Sequence, residues 1–549
     1  MTTLPVVQRE LIVAGRQPWT YHTRVLAAVL LALLGGVLLI LPGRSVVGMT
    51  TLPLLTFKLL SSTVFAGCLL GGVLLTSDSI VSERRTGTLG LLFLTELGSL
   101  DVTFGKLSAC AVQGLCALLG TLPILALPLM MGGVSWTAFW TACLLLISTF
   151  ACSAGIGLWA SARSRSTAGA YSHALLVIVL LCTLPPLAAW LAQGSGIGPA
   201  FVTRIDLLSP VTGLARAWSA DATMGSSILG ALLSASSSAL YGAMALAAAA
   251  LELSRTGRTG FAPDRTKPGP EGVQAAGTAA SAPLPLSLTS YARQYLRRIP
   301  QVRGLDWIFR LGLVAFGCFQ FAAFIAPKQS LAIPLFITAM LIAYALHVVF
   351  KIRTALAAVG PWLEEIQQGG LELLLCTPVN PTTLRRGRRE AVRYRVHDTR
   401  RLLVAVNLLL CLNIFDPELD LGDAPIRIVF LAIFLGGIAS LWADAPAIEN
   451  AGVLHALKQR KIGTVLARTL LPILLPPWIT ALGVFILSTY NTRESALAVW
   501  FVTFHIAHLL VSGWVALKSG KTLDHRFRLL AHQRLGGGTT GGGGKTVSP

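Results

Sequence analysis

Twelve long apolar runs, separated by polar and basic segments, constrain this chain more than anything else in it. They lie at about 25–41, 59–76, 107–131, 136–160, 170–192, 226–251, 308–326, 331–350, 402–415, 426–441, 464–488 and 497–517. A hydrocarbon core about 30 Å thick is crossed by roughly 20 helical residues. Without water to bond to, the backbone there must satisfy its own N–H and C=O groups, as an α-helix does. The expected fold class is an all-α polytopic membrane protein with about twelve transmembrane helices. The run 402–415 is short for a crossing unless it starts among the arginines before it; a re-entrant or tilted segment is the alternative. Composition excludes an ordinary soluble protein, since charged residues are 12% of the chain against about 25% in soluble domains.

The net charge of +20 would suit a nucleic-acid partner, but its distribution points to a membrane. With the N-terminus inside and the chain alternating, inside segments hold 35 of the 44 Lys and Arg residues. This bias follows the positive-inside rule, places both termini in the cytoplasm and makes membrane lipids the partner. The acidic stretch Asp416–Asp423 then falls outside. The first run has no small-residue cleavage site after it and is longer than a signal-peptide core, so it reads as a retained helix. The nine cysteines are scattered, without a C-x-x-C pair, and read as small apolar packing residues.

The chain divides in two. Residues 1–251 hold six runs and 307–517 hold six more. Between them, 252–306 contains a Pro/Gly/Ala/Ser-rich flexible linker, TGRTGFAPDRTKPGPEGVQAAGTAASAPLPLS, and a basic segment before the seventh run. Residues 518–549 form a basic, then Gly-rich cytoplasmic tail. Each half opens with a basic segment, VVQRELIVAGRQPWTYHTR or LTSYARQYLRRIPQVRGLDW. Each is suited either to an amphipathic helix on the inner leaflet or to a flank that only fixes orientation. Pro185-Pro186 in the fifth run returns as Pro476-Pro477 in the eleventh. Such pairs remove helix hydrogen bonds, and a kink or break is expected at each. The repeat is thus a whole six-helix unit, and an even number of crossings makes the two units parallel.

The most specific echo lies inside, after the second run of each unit. Glu83–Lys106 reads ERRTGTLGLLFLTELGSLDVTFGK, and Glu365–Arg388 reads EIQQGGLELLLCTPVNPTTLRRGR. At a constant offset of 282 the identities are Glu83/Glu365, Gly87/Gly369, Leu89/Leu371, Leu91/Leu373, Leu92/Leu374, Thr95/Thr377 and Gly105/Gly387, and Lys106/Arg388 keeps its charge. Gly87-Thr88 and Gly369-Gly370 are expected to interrupt the preceding helix. The leucines then make a short apolar face, which Pro378 and Pro381 end in the second copy. Such a face needs a surface to pack on: the leaflet, its own bundle or a soluble partner. Glu83 and Glu365 are expected to pair with nearby Arg.

The pattern E-x-x-x-G-[TG]-L-x-L-L-x-x-T-x(9)-G-[KR] resembles that of permease subunits of type-2 ABC exporters, which often reads E-x-x-x-G-T-L-E-x-L-L-x-T-P. The first copy departs at Gly90 and Glu96; the second has Glu372 and Pro378 there but Gly370 in place of Thr. The resemblance implies that each loop is a coupling helix docking one of two separate ATP-binding-cassette subunits. It implies a bacterial inner (plasma) membrane, two units fused in one chain, and ATP and Mg bound on the partners. This chain would have no cofactor, metal or catalytic site of its own, and would not be an enzyme. In the family, loop ASARSRSTAGA (Ala160–Ala170), with Lys458–Thr464 as its counterpart, is a second cytoplasmic contact; a basic turn fixing topology explains it equally.

Other features weigh less. The tail TTGGGGKT ends in Lys545-Thr546, but Thr539 stands where a P-loop needs its first Gly, and no strand precedes it. His505 and His508 share a helix face and suit a metal or a proton path, but two ligands do not complete a metal site, and interhelical hydrogen bonding is favoured. His173, His347, Gln113, Gln320, Asn407 and Asn413 read the same way. Asp78, Glu252 and Glu364, like Glu83 and Glu365, sit at inner ends of runs. Gly35-Gly36 and Gly71-Gly72 suit close helix packing. The expected function is an ATP-driven permease for an unknown substrate. The alternatives are an ion- or proton-coupled secondary transporter, against which the near-absence of acids in the runs counts, and a membrane scaffold or sensor. A partner ATPase encoded beside this chain would favour the first.

Overall fold

The computed structural model describes residues 8, 12, 25, 28–29, 31–36, 46–89, 98–194, 204–219, 226–259, 289–299, 302–325, 332–367, 369–376, 380–415, 424–459, 462–489 and 493–536. Among them the chain is 93% helix, and none is in a strand. It divides into two compact units, Met1–Pro268 and Gly269–Pro549. Nine helices among the described residues are long and apolar enough to cross a membrane. The other three expected crossings differ in kind. The run 25–41 lies about half outside the described residues. The run 402–415 is the apolar end of a helix whose first half is arginine-rich, and 497–517 lies within a 44-residue helix, Arg493–Gly536, that continues into a basic end.

The first unit is built from α1 (Val46–Thr76), α2 (Ser79–Thr86), α3 (Ser99–Leu125), α4 (Leu127–Met130), α5 (Trp136–Arg163), α6 (Thr167–Gly194), α7 (Pro210–Trp218) and α8 (Ser226–Thr259). Its centre is α5, where 78% of the apolar window is buried, against 17% for the helix pair α3–α4. Small residues explain this. A Cβ on Gly155 would lie 2.6 Å from the Gly242 carbonyl oxygen of α8, so the two backbones touch. Where lipid tails are as apolar as Leu, close packing is a main source of helix association. Gly72 of α1 has the expected role, because a Cβ there would lie 2.7 Å from the Ala154 nitrogen; Gly71 faces open space. Phe57, Leu60, Leu145 and Leu146 fill the core beside these contacts.

The second unit comprises α9 (Ser290–Arg298), α10 (Arg303–Ile325), α11 (Ala332–Gln367), α12 (Gly370–Leu375), α13 (Pro381–Asn413), α14 (Ala424–Lys458), α15 (Ile462–Thr489) and α16 (Arg493–Gly536). The basic segment before the seventh run is indeed helical, capped by Thr289 Oγ1, which accepts from Ala292 N at 3.3 Å. Its apolar side, Ala292, Tyr295 and Ile299, packs on Ala357, Ala358, Ala391 and Val392 of α11 and α13, so it faces its own unit rather than lipid. The first half's basic segment lies largely outside the described residues.

Neither proline pair breaks its helix. α6 runs unbroken through Pro185-Pro186, and α15 through Pro472 and Pro476-Pro477. Consecutive prolines share their disruption over one turn, and neighbouring helices hold the register.

Candidate functional site

The described ends of the duplicated loop have one geometry in both units. α2 ends at Thr86, and Gly87 follows at φ 76°, its N–H donating to the Arg84 carbonyl. α11 ends at Gln367, and Gly369 follows at φ 73°, its N–H donating to the Ile366 carbonyl. These left-handed positions stop the helix at little steric cost only if they are glycine. Two residues on, Leu89 and Leu371 are both buried, at 6% and 0% exposure. The next long helices also start in register: α3 after N-cap Gly98 and α13 after N-cap Asn380, the same 282 apart.

An ion pair closes each loop between its first and last residues. Lys106 Nζ meets Glu83 Oε1 at 2.7 Å, and Arg388 pairs with Glu365. The expected arginine partner is found in the second unit; in the first, Glu83 pairs with Lys106. Gly105 and Gly387, one residue earlier, are buried in both units. In the second unit the guanidinium of Arg388 lies between Trp362, 3.8 Å from its ring centroid, and Tyr295, at 4.7 Å. At the same offset the first unit has Ile80, fully buried, where the second has Trp362.

The described leucines of the second copy face different ways. In α12, Leu371 points into the unit while Leu373 is 74% exposed, and Glu372 is exposed beside it. A six-residue helix resting on its unit through one side must leave the other bare. Leu91, Leu92, Thr95, Thr377 and Pro378 lie outside the described residues, as does the side chain of Leu374. Thr88 is exposed, and its hydroxyl bonds the Glu83 carbonyl at 3.4 Å.

The C-terminal end of α5 supports the first loop. Ser161 Oγ accepts from the N–H groups of Ile80 and Val81 at 3.0 and 3.1 Å, holding the start of α2. Arg84 donates to the carbonyls of Ala162 and Ser164 at 2.8 and 3.1 Å, satisfying the end of α5. Loop Ala160–Ala170 is thereby fastened to the repeated loop. Of its proposed counterpart, residues 460 and 461 lie outside the described residues.

Sequence reading missed a buried ionic cluster in the second unit. Lys351 Nζ of α11 lies 3.0 Å from Asp444 Oδ2 of α14. His508 Nε2 of α16 lies 2.9 Å from Asp444 Oδ1, and Ser512 donates to the same oxygen at 2.6 Å. Asp444 is wholly buried, and Lys351 and His508 nearly so. Asp444 sits three residues past the apolar run 426–441, and Lys351 one past 331–350, so both looked like inner flanks. The helices in fact extend further, to Lys458 and Gln367. The favoured reading of the polar side chains holds for several of them. His347 and Asn407 bond between α11 and α13 at 2.9 Å, and Asn413 and Gln320 between α13 and α10 at 2.7 Å. Among the described residues, no group of three or more His, Cys, Asp or Glu side chains is placed to hold a metal. The tail around Lys545-Thr546 lies outside the described residues.

No protein-family model matches the chain, and no curated protein matches it in sequence.

Proposed function

We propose that this chain is the membrane-spanning permease of an ATP-driven exporter of the type-2 ABC kind. Two separate ATP-binding subunits would dock on Glu83–Lys106 and Glu365–Arg388, with ATP and Mg bound to them. The observation that carries this reading is the doubled loop: the same left-handed glycine, buried leucine and closing ion pair in each of two units. A loop built twice with one rigid base, and an exposed Leu373 beside Glu372 at one tip, suits a pair of like partners. The clamped base would pass a partner's movement into the long helices, since α2 and α3, or α11 and α13, are tied there by charge. The chain itself would shape the pathway and hydrolyse nothing.

Affinity purification from native membranes in mild detergent, with mass spectrometry and an ATPase assay, tests this. A stoichiometric partner carrying a P-loop, with vanadate-sensitive hydrolysis, is the expected result. Absence of any ATPase partner across several detergents and after crosslinking in the membrane would overturn it. A second reading, a proton- or ion-coupled secondary transporter, is favoured by one observation. Asp444, fully buried within the apolar helix Arg427–Lys458, supplies the acid that the sequence had seemed to lack. Transport by the purified chain without ATP would select it.

A further inference from the structure

Ionisable groups in a span are costly and by default point to function. In the second unit they converge on one place. α14 turns Gly437, Ser440 and Asp444 along one face, at spacings of three and four residues. Gly436 leaves room for the His505 ring, since a Cβ there would lie 2.7 Å from its Cγ. Gly437 does the same for Asn407. α11 supplies His347 and, one turn on, Lys351; α16 supplies His505, His508 and Ser512. α13 presents Asn407, and α15 reaches the cluster with Trp478, which packs on Phe504, itself stacked on His508. α5, the central helix of the first unit, has no Asp, Glu, Lys or His at all, and its buried polar groups are Ser and Thr hydroxyls.

The cluster holds two bases and one acid. An ammonium only donates hydrogen bonds, and an ionised carboxylate only accepts them. His508 Nε2 faces both: Lys351 Nζ at 3.2 Å and Asp444 at 2.9 Å. With a hydrogen, Nε2 satisfies Asp444 and turns its N–H on the ammonium. Without one, it accepts from Lys351 and turns its lone pair on the carboxylate. Neither tautomer meets all contacts while Lys351 is charged. His508 Nδ1, meanwhile, is buried with no partner among the described residues. A permanent structural ion pair needs only Lys351 and Asp444; the histidine adds a conflict that a proton resolves. The Lys351 ammonium already fills the place a metal cation would take beside Asp444.

We infer that Lys351, Asp444 and His508 form a proton-exchange site within the second unit. One proton passes between Lys351 Nζ and His508 Nε2 beside Asp444: an N–H bond breaks at Nζ, leaving its lone pair, and one forms at Nε2. The imidazolium then donates to Asp444, and neutral Lys351 no longer opposes it. Net charge is unchanged by this transfer. A further proton from water, received at a free nitrogen of the pair, leaves the cluster one charge more positive. A buried site bears that charge poorly, so uptake is tied to rearrangement of α11, α14 and α16. The site is compatible with an ATP-driven permease and a secondary transporter alike; its failure removes the observation that favours the second and leaves the first standing.

The full chain, labelled with 15N-histidine and placed in lipid nanodiscs, provides the test. Imidazole 15N resonances report protonation and tautomer directly, and loss of one set in His508→Gln assigns His508. The expected result is a one-proton titration of His508 between about pH 4 and 9, with a midpoint moved by about one pH unit or more in Lys351→Gln, as expected for loss of a charge within roughly 4 Å. His508 resonances that stay constant over that range in the wild-type chain would overturn the site. So would a midpoint unchanged in both Lys351→Gln and Asp444→Asn. If neither variant inserts, the wild-type titration decides by itself.

Discussion

Removing Arg388 should damage the second unit more than removing its charge alone would suggest. Its side chain is 2% exposed, and its partner Glu365 is 9% exposed. Deleting one member of a buried pair strands the other, at a cost of about 3–5 kcal/mol. The two flanking rings add about 0.5–2 kcal/mol each, through contacts that an ammonium reproduces less well than a planar guanidinium. Arg388→Met should therefore cost about 3–5 kcal/mol or slightly more. Arg388→Lys, which keeps the charge and loses the stacking, should cost about 1–2 kcal/mol. The double change Glu365→Met with Arg388→Met strands no charge and should recover most of the loss, as buried pairs often do when replaced by apolar side chains. The assay is reversible SDS-titrated unfolding in mixed micelles, run as a double-mutant cycle. A coupling of about 2 kcal/mol or more is expected. Strictly additive single costs would refute the clamp. In the first unit, where Glu83 is 17% exposed, the same cycle should give a smaller coupling, about 1–2 kcal/mol.

Three further outcomes follow from the same geometry. Leu373→Asp should leave insertion and folding intact but abolish co-purification of an ATPase, because the residue is exposed; Leu371→Asp should instead lower the yield of folded chain, because Leu371 is fully buried. Gly87→Ala and Gly369→Ala should each cost about 1–2 kcal/mol in the SDS assay, since both sit at positive φ; a neutral effect would mean that the loop relaxes freely. Gly155→Leu should force α5 and α8 apart where a Cβ already meets a carbonyl oxygen at 2.6 Å. It should cost about 1–3 kcal/mol or more, read as loss of monodisperse protein on size exclusion.

Helix class and the place of the doubled loop were legible in the sequence because each rests on a local rule. Run length reports the solvent, glycine reports a backbone turn, and a constant offset reports shared construction. What stayed hidden depended on partners far apart in the chain. Lys106 and Glu83 are 23 residues apart, and nothing local says that they will meet, or that Arg84 will turn to the carbonyls of Ala162 and Ser164. Leu371 and Leu373 read alike, yet one is buried and the other bare, because α12 rests on its unit by one side. Asp444 was passed over because hydropathy ends a span where charge begins. A charge whose partners are buried with it lets the helix run on.

The two units answer a shared plan differently. Both keep the glycine turn, the buried leucine and the closing ion pair, so these serve whatever the loops have in common. The interiors diverge: the first is drawn tight by Gly72, Gly155 and Gly242, and the second opens space at Gly436 and Gly437 for His505 and Asn407. Had the ionic cluster existed only to hold helices together, the first unit's solution, small residues in close contact, would have served both at lower cost. Polar groups in a bilayer contribute only modestly to helix association, while a buried acid and two bases carry a large desolvation cost. Among the described residues that cost is borne in one unit alone, which ties the asymmetry to something the second unit does. Replacing Lys351, Asp444 and His508 together with Met, Leu and Leu separates the two roles. A triple variant that is as stable as the wild-type chain, or more so, but has lost pH-dependent rearrangement would show that the charges serve function. A triple variant that unfolds, while the tightly packed first unit persists, would show that they hold the second unit together.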